Sequence, residues 1–204
     1  MPMTSVARFG SHLLLAGLLV LAPAAAAVVP APPELPVSSY VLIDFHSGRT
    51  LAEKNGQQRL EPASITKLMS AYILYQRLTD GRLQPDDRVP VSRRAQQTVG
   101  SRMFIEAGTQ VSVDELLHGM VIQSGNDATV ALAEYVAGSE TAFAQLMNQQ
   151  ARALGLDDTN FVNATGLPDP QHYTTAADIA RLTRALIREF PDYYRLYSER
   201  SYTY

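Results

Sequence analysis

The chain begins with a segment typical of protein export and contains no cysteine, and together these two features constrain how it can fold. Arg8 precedes an apolar run at residues 13–22 that is too short to span a bilayer well, and the alanines at 24–27 offer a cleavage site. We therefore expect a signal peptide over residues 1–27, with an uncleaved anchor as the alternative. Without disulfides the exported chain must be stabilised by packing alone. Thiol catalysis and cysteine-ligated zinc are also excluded.

The residues after the predicted cleavage site divide into a tether and one domain. Residues 28–36 contain four prolines and no core-forming period, which predicts an extended tether. Residues 37–204 then provide about 170 residues, enough for a single domain with a hydrophobic core. The formal net charge of -3, with no basic run, gives no support for nucleic-acid binding or for a polybasic membrane patch.

Hydrophobic periodicity and capping residues predict an α+β fold with an antiparallel sheet. Residues 39–45 and 50–54 are two short β-like runs separated by a turn, which predicts a hairpin. Cap residues and glycines then mark five helices, at 64–78, 112–123, 126–138, 139–155 and from Thr175 to just before Pro191. The tyrosine-rich end at 201–204 is predicted to be a β-strand.

Lys67 is one of only two lysines in the chain. The 17 basic residues consist of Lys54, Lys67 and arginines. Arginine stays charged at any ordinary pH, whereas a desolvated lysine can act as a base. Ser64 precedes Lys67 by three residues, so both side chains lie on one face of the predicted helix. This spacing favours a serine nucleophile activated by the lysine, provided that burial or a nearby cation lowers the lysine pKa.

A second motif, Ser124-Gly125-Asn126, falls at a predicted helix boundary. Ser124 is a candidate to relay a proton to a leaving amine, and Asn126 has the donor and acceptor needed to bind a substrate amide. Each motif alone is typical of ordinary structure, either a helix with a solvated lysine or a helix break capped by asparagine. Together, and in this order, they indicate nucleophilic acyl transfer by a serine.

The motifs and their surroundings resemble the serine-type D-alanyl-D-alanine carboxypeptidases, the low-molecular-weight penicillin-binding proteins of peptidase family S11. The similarity extends over nearly all of the chain after residue 37. Its most specific blocks are Glu61 to Met69 (EPASITKLM), Gly100 to Phe104 (GSRMF) with Gly108, Ser112 to Ala128 (SVDELLHGMVIQSGNDA), Phe161 to Leu167 (FVNATGL) and Thr174 to Leu182.

This resemblance implies a β-lactamase/transpeptidase-like fold, with an antiparallel sheet and a helical subdomain. It implies Ser64 as the acylated nucleophile, Lys67 as its proton acceptor, Ser124 as a further catalytic residue and Asn126 as a substrate-binding residue. The implied reaction removes the terminal D-alanine from peptidoglycan stem peptides through an acyl-enzyme, without a metal or organic cofactor. β-Lactams are the implied covalent inhibitors. The implied location is the periplasm, with inner-membrane association only through a further C-terminal segment.

The sequence departs from the family pattern in one respect. The family places a Lys-Thr-Gly motif on a strand beside the nucleophile, and none occurs here, since Lys54 is followed by Asn55 and Gly56. That strand normally supplies a cation for the substrate carboxylate and a backbone N–H near the oxyanion. We therefore expect residues 37–204 to be the N-terminal major part of a carboxypeptidase catalytic domain, incomplete and ending before the last strands.

Three alternatives use the same residues. A class A β-lactamase would need a Glu-x-x-Leu-Asn loop, which does not occur in the sequence. A peptidoglycan D,D-endopeptidase of the same family differs in how its cleft accepts a crosslink, and it stays open. The third alternative is a catalytically inactive chain that binds penicillin or peptidoglycan.

His46, His118 and His172 lack ligand spacing and are predicted to be structural.

Overall fold

The computed structural model describes residues 31–204. The predicted signal peptide at 1–27 and the first residues of the predicted tether lie outside the described residues. Residues 31–36 are exposed and have no regular secondary structure. Residues Leu35–Tyr204 form one compact unit.

The sheet structure consists of two short antiparallel ribbons. Strand β1 (Tyr40–Ile43) pairs with β2 (Thr50–Lys54), which confirms the predicted hairpin. Strand β3 (Arg88–Pro90) pairs with β4 (Gln110–Ser112). The sequence did not predict this second ribbon, because three-residue strands are too short to show an alternating hydrophobic pattern.

Helices are the main secondary structure of the described unit. They are α1 (Lys67–Thr79), α2 (Arg93–Gln97), α3 (Val113–Ile122), α4 (Asn126–Ala137), α5 (Glu140–Ala153), α6 (Ala176–Glu189) and α7 (Pro191–Tyr194). The five predicted helices are confirmed as α1, α3, α4, α5 and α6. Helix α2 has too few turns for a hydrophobic period to be recognised. Between residues 31 and 204, no helix combines the length and the hydropathy that a bilayer span requires.

The hydrophobic core is organised around α1. Nine of its 13 residues are buried, and it contacts α3, α4, α5 and α6. Large buried side chains from these helices fill the core, among them Tyr75, Leu116, Leu132, Phe143 and Leu182. Cap residues satisfy the first free N–H groups of several helices, which is why their starts could be predicted. At α3, for example, Ser112 and Glu115 form a reciprocal capping box.

The strand predicted at the tyrosine-rich end is wrong. Pro191 starts α7, a 3-10 turn follows at Arg195–Ser198, and the final residues have no strand partner in the described part of the chain. A strand needs a neighbour for its backbone hydrogen bonds. The Tyr202 ring instead stacks on His118 with ring centroids 4.3 Å apart.

A loop at residues 160–174 folds back against the start of α1. Leu60 and Thr174 exchange backbone hydrogen bonds of 2.8 and 3.0 Å. Asn160 and Tyr173 exchange a second pair, which joins the two ends of the loop. Gly166 lies at the point of closest approach and has a φ of +84°. A Cβ on Gly166 would lie 1.7 Å from the carbonyl oxygen of Ala63, so only glycine fits at this position.

Replacing Gly166 with alanine tests this close approach. Gly166→Ala is expected to lower the free energy of unfolding by more than about 3 kcal/mol, because backbone overlap adds to the cost of a left-handed alanine. Gly155→Ala is the matched control, since Gly155 also has a positive φ, of +68°, but nothing lies within 4 Å of its Cβ position. Urea unfolding measures both variants. Equal losses of unfolding free energy in the two variants would show that the close contact with Ala63 contributes nothing measurable to stability.

Candidate active site

Ser64 lies on a 3-10 turn at Ala63–Thr66 that leads directly into α1. The sequence predicted a continuous helix from residue 64. In a 3-10 turn, residues three apart eclipse one another, so Ser64 and Lys67 project in the same direction. The Lys67 Nζ lies 3.2 Å from the Ser64 Oγ. Ser64 is exposed and Lys67 is buried, so a ligand from solvent can reach the hydroxyl while the amine stays largely dry.

Lys67 is buried among neutral acceptors. It is 6% exposed, and besides the serine its Nζ contacts Asn126 Oδ1 at 2.7 Å and the Thr165 carbonyl oxygen at 3.0 Å. Burial disfavours the charged amine and lowers the pKa of Lys67 from 10.5 to about 8. The amine therefore becomes neutral, and able to accept a proton, at a much lower pH than an ordinary lysine does.

The three contacts define the orientation of a neutral Lys67 amine. Such an amine has two N–H groups and one lone pair. Asn126 Oδ1 and the Thr165 carbonyl oxygen can accept hydrogen bonds but cannot donate them, so they take the two N–H groups. The lone pair is left facing the Ser64 hydroxyl, which can donate. The geometry is therefore suited to proton transfer from Ser64 to Lys67.

Asn126 is fixed at the start of α4. Its backbone N–H donates to the Ser101 carbonyl at 2.7 Å, and its Nδ2 donates to the Val99 carbonyl at 2.6 Å. The second bond sets the amide orientation, because Nδ2 must face a carbonyl and Oδ1 then faces Lys67. One N–H and one lone pair of the amide are left for a substrate, so the substrate-binding role of Asn126 stays a prediction that the geometry allows.

Ser124 has a φ of +56°, a left-handed conformation that is uncommon for serine. It follows α3 and precedes Gly125, the N-cap of α4. Within the part of the chain that the structure describes, no hydrogen bond joins Ser124 to Ser64 or Lys67. The structure thus brings Ser64, Lys67 and Asn126 together, and the catalytic role of Ser124 stays a prediction.

Asp127 is a supporting residue that the sequence analysis missed. It is 1% exposed, and its carboxylate accepts four backbone N–H groups. Three belong to residues 103–105, at 2.8 to 3.3 Å, and the fourth to Ala128 at 2.9 Å. These bonds tie the loop at residues 99–105, which also fixes Asn126, to the start of α4. The available signal was an acid in the first turn of a predicted helix, which ordinarily indicates only a favourable interaction with the helix N-terminus.

The loop that carries the Thr165 carbonyl is the second missed element. Asn163 Oδ1 accepts the Thr165 backbone N–H at 3.1 Å and so closes a local turn. The buried Glu140 carboxylate accepts the Ala164 N–H at 3.0 Å and so ties this loop to α5. A backbone carbonyl has no residue-type signature, so its contact with the Lys67 amine could not be found in the sequence.

Comparisons with known proteins place this geometry in a family. Residues 26–204 match the sequence profile of peptidase family S11, described as D-alanyl-D-alanine carboxypeptidase. The D-alanyl-D-alanine carboxypeptidase DacA of Escherichia coli K12 is 40% identical over 183 residues, which are 87% of this chain and 45% of the relative. The carboxypeptidase DacD of the same strain is 42% identical over 181 residues, 86% of this chain and 47% of the relative. The chain thus spans about half the length of the curated relatives it matches.

Solved structures share the fold. Penicillin-binding protein 5 from Haemophilus influenzae superposes with a TM-score of 0.84 at 39% identity, over 86% of this chain and 52% of the other. DacD from Francisella tularensis gives 0.83 at 44% identity, over 87% and 43%. The fold is therefore the β-lactamase/transpeptidase-like fold of the penicillin-binding proteins, as the resemblance predicted. Within that class, the chain belongs to the D-alanyl-D-alanine carboxypeptidase family, peptidase family S11, whose members are serine-type hydrolases.

The lowered pKa of Lys67 can be measured directly, because Lys54 is the only other lysine in the sequence and is exposed. Lysine 13Cε shifts followed by NMR should show Lys67 titrating near pH 8, with Lys54 as the internal reference. Because the folded pKa lies below the ordinary value, stability should also rise between pH 8 and 10.5, where only the unfolded chain holds the proton. Two coincident titrations would contradict the desolvated pocket.

Asp127→Asn tests the anchor of the 99–105 loop. An amide places an NH2 group where the carboxylate has an acceptor, so at least one buried N–H then faces a donor. We expect the free energy of unfolding to fall by about 2 to 4 kcal/mol in urea denaturation. Asp114→Asn is the matched control, since Asp114 is an exposed acid in the first turn of α3, and it should cost less than about 1 kcal/mol. A small loss at both positions would argue against the anchor.

Proposed function

We propose that this chain carries the acylation centre of a serine-type D-alanyl-D-alanine carboxypeptidase, which removes the terminal D-alanine from peptidoglycan stem peptides during cell-wall biogenesis and remodelling. The observation that carries the proposal is the contact between the Ser64 hydroxyl and a buried lysine whose lone pair faces it. Membership of the family and the likeness to relatives named as D-alanyl-D-alanine carboxypeptidases support the substrate class.

In the proposed reaction, the Ser64 Oγ attacks the carbonyl carbon of the penultimate D-alanine while its proton passes to the Lys67 amine. The C–N bond of the tetrahedral intermediate then breaks, the nitrogen of the terminal D-alanine takes up a proton, and an ester to Ser64 is left. Water hydrolyses that ester, which releases the shortened peptide and restores the hydroxyl. Ser124 is assigned the proton relay to the leaving nitrogen, and Asn126 the binding of the substrate amide. No metal or organic cofactor takes part.

β-Lactams are proposed to acylate the same serine. Their strained amide resembles the D-alanyl-D-alanine bond, so Ser64 can open the ring and form an ester that water removes slowly. The likeness to structures named as penicillin-binding proteins, from Haemophilus influenzae and Escherichia coli, supports this second reaction.

The proposed site of action is the periplasm. The predicted signal peptide at 1–27 would export the chain to the compartment that holds peptidoglycan. Any inner-membrane association is proposed to be through a further C-terminal segment, as in the family that the chain resembles.

A second candidate function is the binding of penicillin or peptidoglycan without turnover. The observation that favours it is the lack of a Lys-Thr-Gly motif in this sequence, since that motif supplies the cation for the substrate carboxylate and completes the oxyanion hole in the family. The endopeptidase alternative has weaker support. The D-alanyl-D-alanine endopeptidase of Pseudomonas aeruginosa is 32% identical over 164 residues, against 40% and 42% for the carboxypeptidases.

Substitution of the nucleophile and its base tests the proposal. Protein expressed from its complete reading frame is treated with penicillin, and its intact mass is followed over time. The wild type should gain one adduct at Ser64, and Ser64→Ala should gain none. Lys67→Arg should react at least about 100-fold more slowly, because arginine keeps the charge but accepts no proton. Lys54→Arg, the matched control, should react like the wild type.

The outcomes separate the candidate functions. An adduct elsewhere, or undiminished acylation of Lys67→Arg, would refute the assigned nucleophile or base. Release of D-alanine from a pentapeptide by the untreated wild-type protein, but not by Ser64→Ala, would support the carboxypeptidase. Acylation without any release, from the complete reading frame and from the 204-residue chain alike, would favour binding without turnover.

A further inference from the structure

His172 is a buried histidine that is hydrogen-bonded at both ring nitrogens. It is 2% exposed, and its ring packs edge-on against Phe161 with centroids 5.7 Å apart. Its Nδ1 lies 3.1 Å from the Val162 backbone N, and its Nε2 lies 2.8 Å from the Thr66 Oγ1. A backbone N–H can only donate, so Nδ1 carries no proton. The neutral ring therefore holds its proton on Nε2 and donates it to Thr66.

The two partners of His172 belong to the two segments that position the catalytic amine. Thr66 is fully buried and lies in the 3-10 turn of the nucleophile. Val162 lies at the start of the loop whose Thr165 carbonyl accepts a hydrogen bond from Lys67. A single imidazole thus joins the turn that carries the nucleophile to the loop that orients its base.

We propose that His172 is a positioning residue for acylation, whose neutral ring holds the nucleophile turn against the Thr165 loop and so keeps the Lys67 lone pair directed at Ser64. This inference rests on the proposed function of Ser64 and Lys67. Protonation of the ring would place a second N–H at Nδ1, opposite the N–H of Val162. Two donors would then face each other, and the hydrogen bond between the ring and the loop would be lost.

Three elements present charged groups to His172. Glu61 precedes the nucleophile turn, Glu140 lies at the start of α5, and Asp169 lies on the same loop as His172. All three carboxylates favour the protonated ring, but burial outweighs them and lowers the pKa of His172 below its ordinary 6.5. The bridge is therefore intact at neutral pH and is lost only in acid.

The assignment predicts how acylation depends on pH. Below the Lys67 pKa, near 8, only the neutral amine reacts, so the rate should fall about tenfold for each pH unit. Below the His172 pKa a second protonation disables the site. The fall should then steepen toward about a hundredfold for each pH unit.

Two substitutions of His172 separate its two contacts. His172→Gln keeps an amide donor near Thr66 but has no acceptor at the position of Nδ1, whereas His172→Asn places an acceptor near Val162 but does not reach Thr66. Above the Lys67 pKa, each should lower the second-order rate of penicillin acylation by about 10- to 100-fold. Neither side chain titrates, so the steepening in acid should disappear. His46→Gln, in the exposed hairpin turn, is the matched control and should change neither rate nor slope.

An NMR measurement tests the inference without using activity. Long-range 1H–15N correlations report which ring nitrogen carries the proton, and His172 should appear as the Nε2–H tautomer, with the Val162 amide shifting as the ring titrates. A proton on Nδ1 would overturn the proposal even in a protein that is acylated. A wild-type slope that never steepens would overturn it too, and neither result needs a variant to fold. A wild type that forms no adduct at all refutes the proposed function, and this inference with it.

Discussion

A primary amine buried among neutral acceptors is the constraint on which the rest of this site depends. A carboxylate beside Lys67 would stabilise the ammonium and raise the pKa of the lysine, whereas the amide of Asn126 and the carbonyl of Thr165 can bind its N–H groups in either protonation state. The pocket therefore weakens proton binding by desolvation and still fixes the direction of the lone pair. The same burial costs folding stability, in full below about pH 8 and progressively less up to pH 10.5, where the unfolded lysine also loses its proton. The surrounding structure has to offset that cost.

Long-range contacts between the segments that meet at Lys67 provide that stabilisation. Helix α1, which carries the lysine, is the centre of the hydrophobic core. The start of α4 is tied to the 99–105 loop by the three loop N–H groups that the Asp127 carboxylate accepts. The loop of Thr165 is tied to α5 by Glu140 and lies against the nucleophile turn at Gly166. Because each anchor is buried, its hydrogen bonds do not compete with water, and the geometry around the amine is well determined.

The limits of prediction follow from the range of each interaction. Ser64 and Lys67 are three residues apart, so local helical geometry alone indicates that they meet, and capping residues likewise locate the main helices. The contacts of Lys67 with Asn126 and with the Thr165 carbonyl span 59 and 98 residues. Only the resemblance to a family implied that Lys67 and Asn126 belong to one site. The contact with Thr165 is made by a backbone carbonyl, which gives no signal in the sequence. The strand expected at residues 201–204 failed for a related reason, since the stacking of Tyr202 on His118 is a tertiary contact.

The unequal use of lysine and arginine follows from the same constraint. On the surface, Arg59 donates two N–H groups to one carboxylate oxygen of Asp158, at 3.1 and 2.7 Å. Such a contact suits the planar, permanently charged guanidinium group. Inside the pocket a permanent charge with no acidic partner would be strongly destabilising and could not take a proton from a serine. Lysine can lose its charge, so it can occupy the interior in its neutral form. Lys54, the other lysine, is exposed and donates to the Val37 carbonyl at 2.8 Å, where water solvates its charge. Position 67 is therefore where the difference between the two basic side chains has chemical consequences.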